Sequence, residues 1–335
     1  MRLIFLGSDA IGLPALEFLR TAAGVTLAGV ITRPDRPSGR GQQVHANPVA
    51  AWARERGIAL RQPAQPGAED LAWMRAEGVD AALVMAYGRI LREDFLQTPP
   101  RGVWNLHASL LPAYRGASPV EAALAMGDAS TGVCLMQVVP ALDAGPVADA
   151  ESVRILPDDT SLSLRERLGQ AVVPLLARNL AALGAGGLTA IPQDEARVSY
   201  TRKLAKADAL LDFALPAVEL ERRVRALHPW PGAVVNFAGE ALKAGAVTLL
   251  PTDHTGAAPG TVLAAGPEGV DIATIKGVLR LRALQRPGGR MLNAADFLRG
   301  HPIPVGTVLA SQTGVALVSP RPFPRAAKAA PPTPA

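Results

Sequence analysis

The 335-residue chain contains one cysteine, Cys134, inside the apolar run GVCLMQVV. A lone thiol excludes an internal disulfide and any zinc site built from several cysteines; it reads as a small core residue in a reducing, cytoplasmic setting. Histidine is also scarce. The five histidines stand at 45, 107, 228, 254 and 301, none at metal-ligand spacing, so no metal is expected. His228 precedes Pro229 and Trp230 and is expected to pack where two domains meet. Aromatic residues make up only 4% of the chain. No apolar stretch long enough to cross a bilayer is free of charges or breakers, so no membrane span is expected. The N-terminal MRLIFLGSDAIGLPALEFL is interrupted by Asp9 and Pro14 and reads as a first strand and helix rather than a leader.

Acidic residues thin out along the chain. Residues 1–200 hold 18 Lys and Arg against 20 Asp and Glu, whereas residues 201–335 hold 16 against 9. Two readings fit this asymmetry: a polyanionic partner on the second half, or an ordinary charged surface. With 49% apolar residues over this length, the chain can bury a sizeable core and form two domains.

Short apolar runs alternate with helical patterns in the first half. RLIFLGS (2–8), LAGVIT (27–32), DAALVMAYG (80–88), GVWNLHAS (102–109) and TGVCLMQVV (131–139) read as strands. LPALEFLRTA (13–22) and NPVAAWARERG (47–57) read as helices, the second with Asn47 as N-cap and Pro48 at its first position. SPVEAALAMGD (118–128) has Ser118 and Glu121 at capping-box spacing. This order predicts a doubly wound, mostly parallel α/β sheet. A long amphipathic helix follows over 159–183, then an aperiodic stretch over 184–208. The second half carries a helix at 217–227. After it come short strands with Gly turns, in GAVVNF, LKAGAVTLL, GTVLAAG, GVDIATIKG, VLRLRALQ and GTVLAS, which predict a small β-barrel. The domains are expected at 1–188 and 209–319, joined by a linker at 189–208. A Pro/Ala-rich tail at 320–335 is expected to be disordered.

Three stretches could carry chemistry. GSDAIG (7–12) follows a strand and opens a helix, but Asp9 stands where a dinucleotide fingerprint needs glycine, so a strand-to-helix turn is expected and no nicotinamide or flavin. TRPDRPSGRGQQVH (32–45) presents Arg33, Arg36 and Arg40 against Asp35; it reads either as a phosphate-contacting loop or as a solvated one. NLHASLLPAYRGASP (105–119) places Asn105 and His107 two apart, on one face of a strand that opens into a loop. If the 131–139 strand lies beside it and parallel, Asp143 in ALDAGPV can reach that loop. Asp–His pairing would orient the ring for proton transfer near neutral pH, and the Asn105 amide could stabilise an oxyanion. Without a Ser or Cys nucleophile, this set suggests direct acyl transfer; the alternative is that both side chains satisfy buried backbone groups.

NLHASLLPAYRGASP resembles the N-x-H…SLLP…RG signature of the folate-dependent formyltransferases, and ALDAGPV resembles that family's LDxG segment. YTRKLAKADALLDF (200–213), RVRALHPWPGAVVNF (223–237) and RPGGRMLNAADFLRG (286–300) are similar to the C-terminal domain of the branch that acts on methionyl-tRNA, and the likeness runs to about residue 319. Ala144 and Ser118 depart from the Thr and Ala of the family pattern. The resemblance implies a Rossmann-like domain with an OB-like C-terminal barrel, 10-formyltetrahydrofolate as formyl donor, and initiator methionyl-tRNA as acceptor. It implies that Asn105, His107 and Asp143 are catalytic, with His107 either a base or an electrostatic partner. It places folate against Tyr87, Gly88, Ile90, Ser109, Leu110, Leu111, Pro112 and Arg115, and tRNA against Arg33, Arg36, Arg40, Lys203 and Lys206. The expected state is a cytoplasmic monomer. Rival readings are a formyltransferase for an amino sugar nucleotide, a formyltetrahydrofolate hydrolase, and a non-catalytic RNA-binding protein on this fold.

Overall fold

The structure, a computed structural model, describes residues 1–38, 43–252 and 256–324. Arg40, His254 and the tail from 325 lie outside the described residues.

Seven strands form the first sheet. Leu60–Arg61, Thr26–Ile31, Arg2–Gly7, Ala81–Met85 and Val103–His107 run parallel in that spatial order. Ser130–Gln137 lies beside Val103–His107 but antiparallel to it, and Val147–Arg154 pairs antiparallel with that strand in turn. The parallel adjacency expected for the strand before Asp143 is therefore corrected. The connecting helix Pro119–Met126 is only about two turns long, and the chain re-enters the sheet at the edge it left.

Strand alternation feeds two apolar cores, one on each face. Leu3, Phe5, Leu83, Trp104 and Leu106 point into one core, with helices Leu13–Thr21 and Ser161–Ala185. Ile4, Leu6, Ala82 and Val103 point into the other, with Leu71 and Met74 of helix Ala68–Ala76. Helix Ser161–Ala185 is long and apolar enough to cross a membrane by length and composition. Here its apolar stripe of Leu164, Leu168, Val172, Leu175 and Leu183 packs on the sheet.

Local signals act as physical chemistry dictates, with one exception. Asn47 Oδ1 accepts from Ala50 N–H at 3.0 Å and caps helix Pro48–Glu55, a contact worth about 1 kcal/mol. Asp9 Oδ1 accepts from Ile11 N–H at 3.0 Å and caps the short 3-10 turn Ala10–Gly12. The capping box expected at Ser118 and Glu121 does not form. Ser118 Oγ accepts instead from Leu204 N–H, and buried Glu121 pairs with Arg165 at 2.9 Å. A nearby cation outweighs a local backbone donor for a buried carboxylate.

The second half is a twisted antiparallel sheet of Ala233–Phe237, Glu240–Leu250, Val278–Gln285, Gly269–Ala273 and Val262–Gly266 in that order. Helix Ala217–Ala226 packs Leu220 and Val224 into its core. GTVLAS, expected as a strand, forms only isolated bridges, from Val308 to Thr261 and from Ala310 to Asn236. Those two partners belong to the opposite edges of the sheet, so this segment closes the barrel. His228, expected to pack at a junction, exposes its side chain; its carbonyl accepts from Ser161 Oγ at the start of the long helix.

The 189–208 stretch does more than connect. Its Tyr200–Thr201 pairs parallel with Arg115–Gly116 and antiparallel with Val318–Ser319. Gly116 permits this approach: at φ +118°, an added Cβ would lie 2.2 Å from Thr201 O.

Candidate active site

The four central parallel strands all release their loops at one sheet edge, where open α/β sheets place ligand sites. Asn105 and His107 share the face of Val103, and His107 stands opposite Cys134 in the antiparallel register. Asn105 is half-buried, and among the described residues nothing hydrogen-bonds its amide. His107 is buried, and its Nε2 lies 3.0 Å from the carbonyl oxygen of Tyr114. A carbonyl only accepts, so Nε2 carries the hydrogen and, in the neutral ring, Nδ1 carries the lone pair. Nδ1 faces Asp143 Oδ2 at 3.7 Å. That is close enough for charge attraction and too long for a hydrogen bond. The ring is thus oriented by Tyr114, not by the carboxylate as the sequence reading has it. The Asp143 carboxylate is itself held by the Gly116 N–H at 2.8 Å.

The loop over 108–118 is built from the inside. Ser109 is fully buried and its Oγ donates to Ala113 O at 2.6 Å. Leu111 N–H donates to Cys134 Sγ at 3.3 Å, and the Leu111–Pro112 bond is cis. Tyr114 sits at φ +62°, its N–H on Ser199 Oγ at 2.9 Å and its hydroxyl on Asp128 at 2.7 Å. Burial, then the Asp128 carboxylate, pushes the Tyr114 phenol well above its usual range. Arg115 is 1% exposed. Its guanidinium donates to Gln193 at 3.0 Å and to Glu195 at 2.7 Å, and stacks over Tyr200. It is engaged within the chain.

The neighbouring strand end supplies Tyr87 and Gly88. Tyr87 is buried in the core on the Asn105 face, and its hydroxyl has no hydrogen-bond partner among the described residues; burial, then Asp70, pushes that phenol up to about 12. Gly88 sits at φ +71°, and an added Cβ would lie 3.6 Å from Arg33 Nη1. Arg33 thus reaches the Tyr87–Gly88 turn, while Ile90 is exposed beside it. Arg36 is exposed at the start of the short hairpin Arg36–Ser38 with Gln43–His45. Lys203 and Lys206 are also exposed. Thr201, two residues before Lys203, pairs with Gly116, which brings the first of these lysines beside the 108–118 loop. Among the described residues no group of His, Cys, Asp and Glu could hold a metal ion.

Sequence reasoning missed Tyr114 as the partner of His107, and Asp128, Gln193 and Ser199 behind it. Tyr114 lies inside the quoted motif, but no local pattern marks a main-chain oxygen as a ring anchor. The others reach the loop across 14 to 85 residues.

The formyl transferase family model matches residues 1–180, and the formyl transferase C-terminal domain matches residues 203–302. A methionyl-tRNA formyltransferase from Delftia acidovorans is 42% identical over 319 residues, covering 92% of this chain and 97% of that one. Another, from Xanthomonas axonopodis pv. citri, is 44% identical over 303 residues, covering 90% and 98%. Among solved structures, an N-formyltransferase from Helicobacter canadensis with folinic acid and dTDP-3-aminofucose superposes with a TM-score of 0.63 at 17% identity, over 83% of this chain and 98% of that one. HypX from Aquifex aeolicus with tetrahydrofolic acid gives 0.57 at 16% identity, over 89% and 47%. These two share the fold; the identity over nearly full length settles the finer question, and the chain belongs to the methionyl-tRNA formyltransferase family.

Proposed function

We propose that this formyltransferase moves the formyl group of 10-formyltetrahydrofolate to the α-amino group of methionine on initiator tRNA, using Asn105, His107 and Asp143. The observation that carries the reading is the division of labour at His107: Nε2 is spent on Tyr114 O, so Nδ1 takes the amine proton. The amine nitrogen attacks the formyl carbon, and the carbonyl electrons move onto oxygen. The unpartnered Asn105 amide donates to that oxyanion, an interaction worth about 2.7–4 kcal/mol in comparable sites. Nδ1 accepts the proton lost by the nitrogen. The resulting imidazolium is stabilised by Asp143, 3.7 Å away. Collapse of the intermediate breaks the bond to the folate nitrogen, which leaves with the proton returned by the His107 imidazolium.

Folate lies against Gly88, Ile90, Leu110, Leu111 and Pro112, and the buried Tyr87 and Ser109 support that wall from behind. Arg115 is reassigned in this reading to scaffolding, because its buried guanidinium is engaged by Gln193 and Glu195. Arg33, Arg36, Lys203 and Lys206, with Arg40, meet the tRNA backbone through salt-sensitive contacts. The chain works as a monomer in the cytoplasm, with domains at 1–188 and 209–319.

Formyl transfer to charged initiator tRNA, beside elongator methionyl-tRNA and a dTDP-amino sugar, tests the reading. Initiator-only transfer, lost in Asn105→Ala and His107→Ala, is expected. Transfer to the sugar alone, or full turnover in either variant, overturns it.

A further inference from the structure

The segment between the two halves reaches into the site through one side chain. Gln193 Nε2 donates to the carbonyl oxygens of Asp143 at 2.8 Å and Gly145 at 2.7 Å. Its Oε1 accepts from Arg115 Nε at 3.0 Å. The amide can be oriented in only one way, since a guanidinium only donates and carbonyls only accept. Asp143 sits at φ +46°, a conformation that a residue with a side chain keeps only when its surroundings impose it. Gly145 lets this turn pack on the neighbouring strand: an added Cβ would lie 1.8 Å from Gln137 O. The same segment grips Asp143 from the other side. Tyr200–Thr201 pairs with Arg115–Gly116, and the Gly116 N–H holds the Asp143 carboxylate at 2.8 Å. Asp143 is therefore clasped at its main chain by Gln193 and at its carboxylate by a strand that the 193–201 segment aligns.

We propose that Gln193 is a positioning residue for formyl transfer, which acts by holding Asp143 at its 3.7 Å stand-off from His107. The inference rests on the role given above to Asp143. Arg115 is the far anchor of the clasp. It is buried, and its outer partner Glu195 lies on the surface, so Gln193 hangs from an interior side chain.

Two substitutions in the full-length protein separate positioning from simple anchoring. Gln193→Glu keeps an acceptor for Arg115 but turns a carboxylate toward the two carbonyls. Gln193→Leu removes all three bonds at similar size. Both should lower kcat about tenfold to a hundredfold, the cost of displacing a reacting group by about an ångström. The KM for initiator methionyl-tRNA should stay within about twofold, and the melting temperature should fall by only a few degrees, with the protein folded at the assay temperature. Wild-type kcat in Gln193→Glu would overturn the proposal by showing that only the Arg115 bond matters. So would wild-type kcat in Gln193→Leu, or a KM that rises in step with the loss of kcat in both. His107→Ala, measured alongside, separates the two levels: full turnover there defeats the catalytic reading itself, whereas turnover lost in His107→Ala but kept in Gln193→Leu defeats only the role of Gln193.

Discussion

His107 donates its Nε2 hydrogen to the main-chain oxygen of Tyr114 at 3.0 Å, and Tyr114 in turn is anchored through its hydroxyl to Asp128 at 2.7 Å. The ring orientation therefore depends on a phenol that never touches the reacting atoms. Nitrogen NMR of His107 should show the Nε2–H tautomer in the neutral protein; an Nδ1–H tautomer would contradict the assignment. Tyr114→Phe should cost about 1 kcal/mol in urea unfolding, the net worth of one hydrogen bond. It should lower kcat with little change in KM.

Cys134 stands directly opposite His107 in the sheet, yet it is no nucleophile. Burial pushes its thiol up to about 11, partly offset by the Leu111 N–H that it accepts. At pH 8 the native protein should react negligibly with a thiol reagent, and one equivalent should appear on unfolding. Rapid labelling of the folded chain would show that the 108–118 loop opens more readily than its contacts imply.

Asn47 serves two structures at once. Its Oδ1 caps helix Pro48–Glu55, and its Nδ2 donates to Thr32 Oγ1 and Arg33 O, both at 3.0 Å. Asn47→Ala should destabilise the fold by about 1–2 kcal/mol. Because Arg33 opens the basic loop, KM for tRNA should rise more than kcat falls; an unchanged KM would mean that the loop entry needs no such tether.

Asp149 gives a pH signature. Arg178 hydrogen-bonds its carboxylate, and with Asn179 and the Ala150 N–H this outweighs burial and holds the carboxyl below the usual aspartate range. A carboxyl held low in the folded state stabilises above its unfolded value, and that contribution fades as pH falls through the folded one. The melting-temperature gap between wild type and Asp149→Asn should therefore be widest near neutrality and should shrink below about pH 4. A gap independent of pH would assign the effect to packing of helix Ser161–Ala185 instead.

What the amino-acid order determined by itself was local. A period of two put Asn105 and His107 on one face, and the Asn47–Pro48 pair started a helix, because both depend on backbone geometry within a few residues. The alternation of apolar runs and helical stripes made a doubly wound sheet legible, and the Gly-punctuated strands made a barrel legible. Tertiary structure decided the rest. The capping box at Ser118 and Glu121 lost to Arg165, a partner 44 residues away. The strand before Asp143 turned out antiparallel, GTVLAS became the closing edge of a barrel, and Arg115 met Gln193, 78 residues away. Spacing along the chain specifies which residues share a face. Which distant carbonyl or cation meets them is set by sheet register and loop closure, where the strongest available partner for a buried polar group wins.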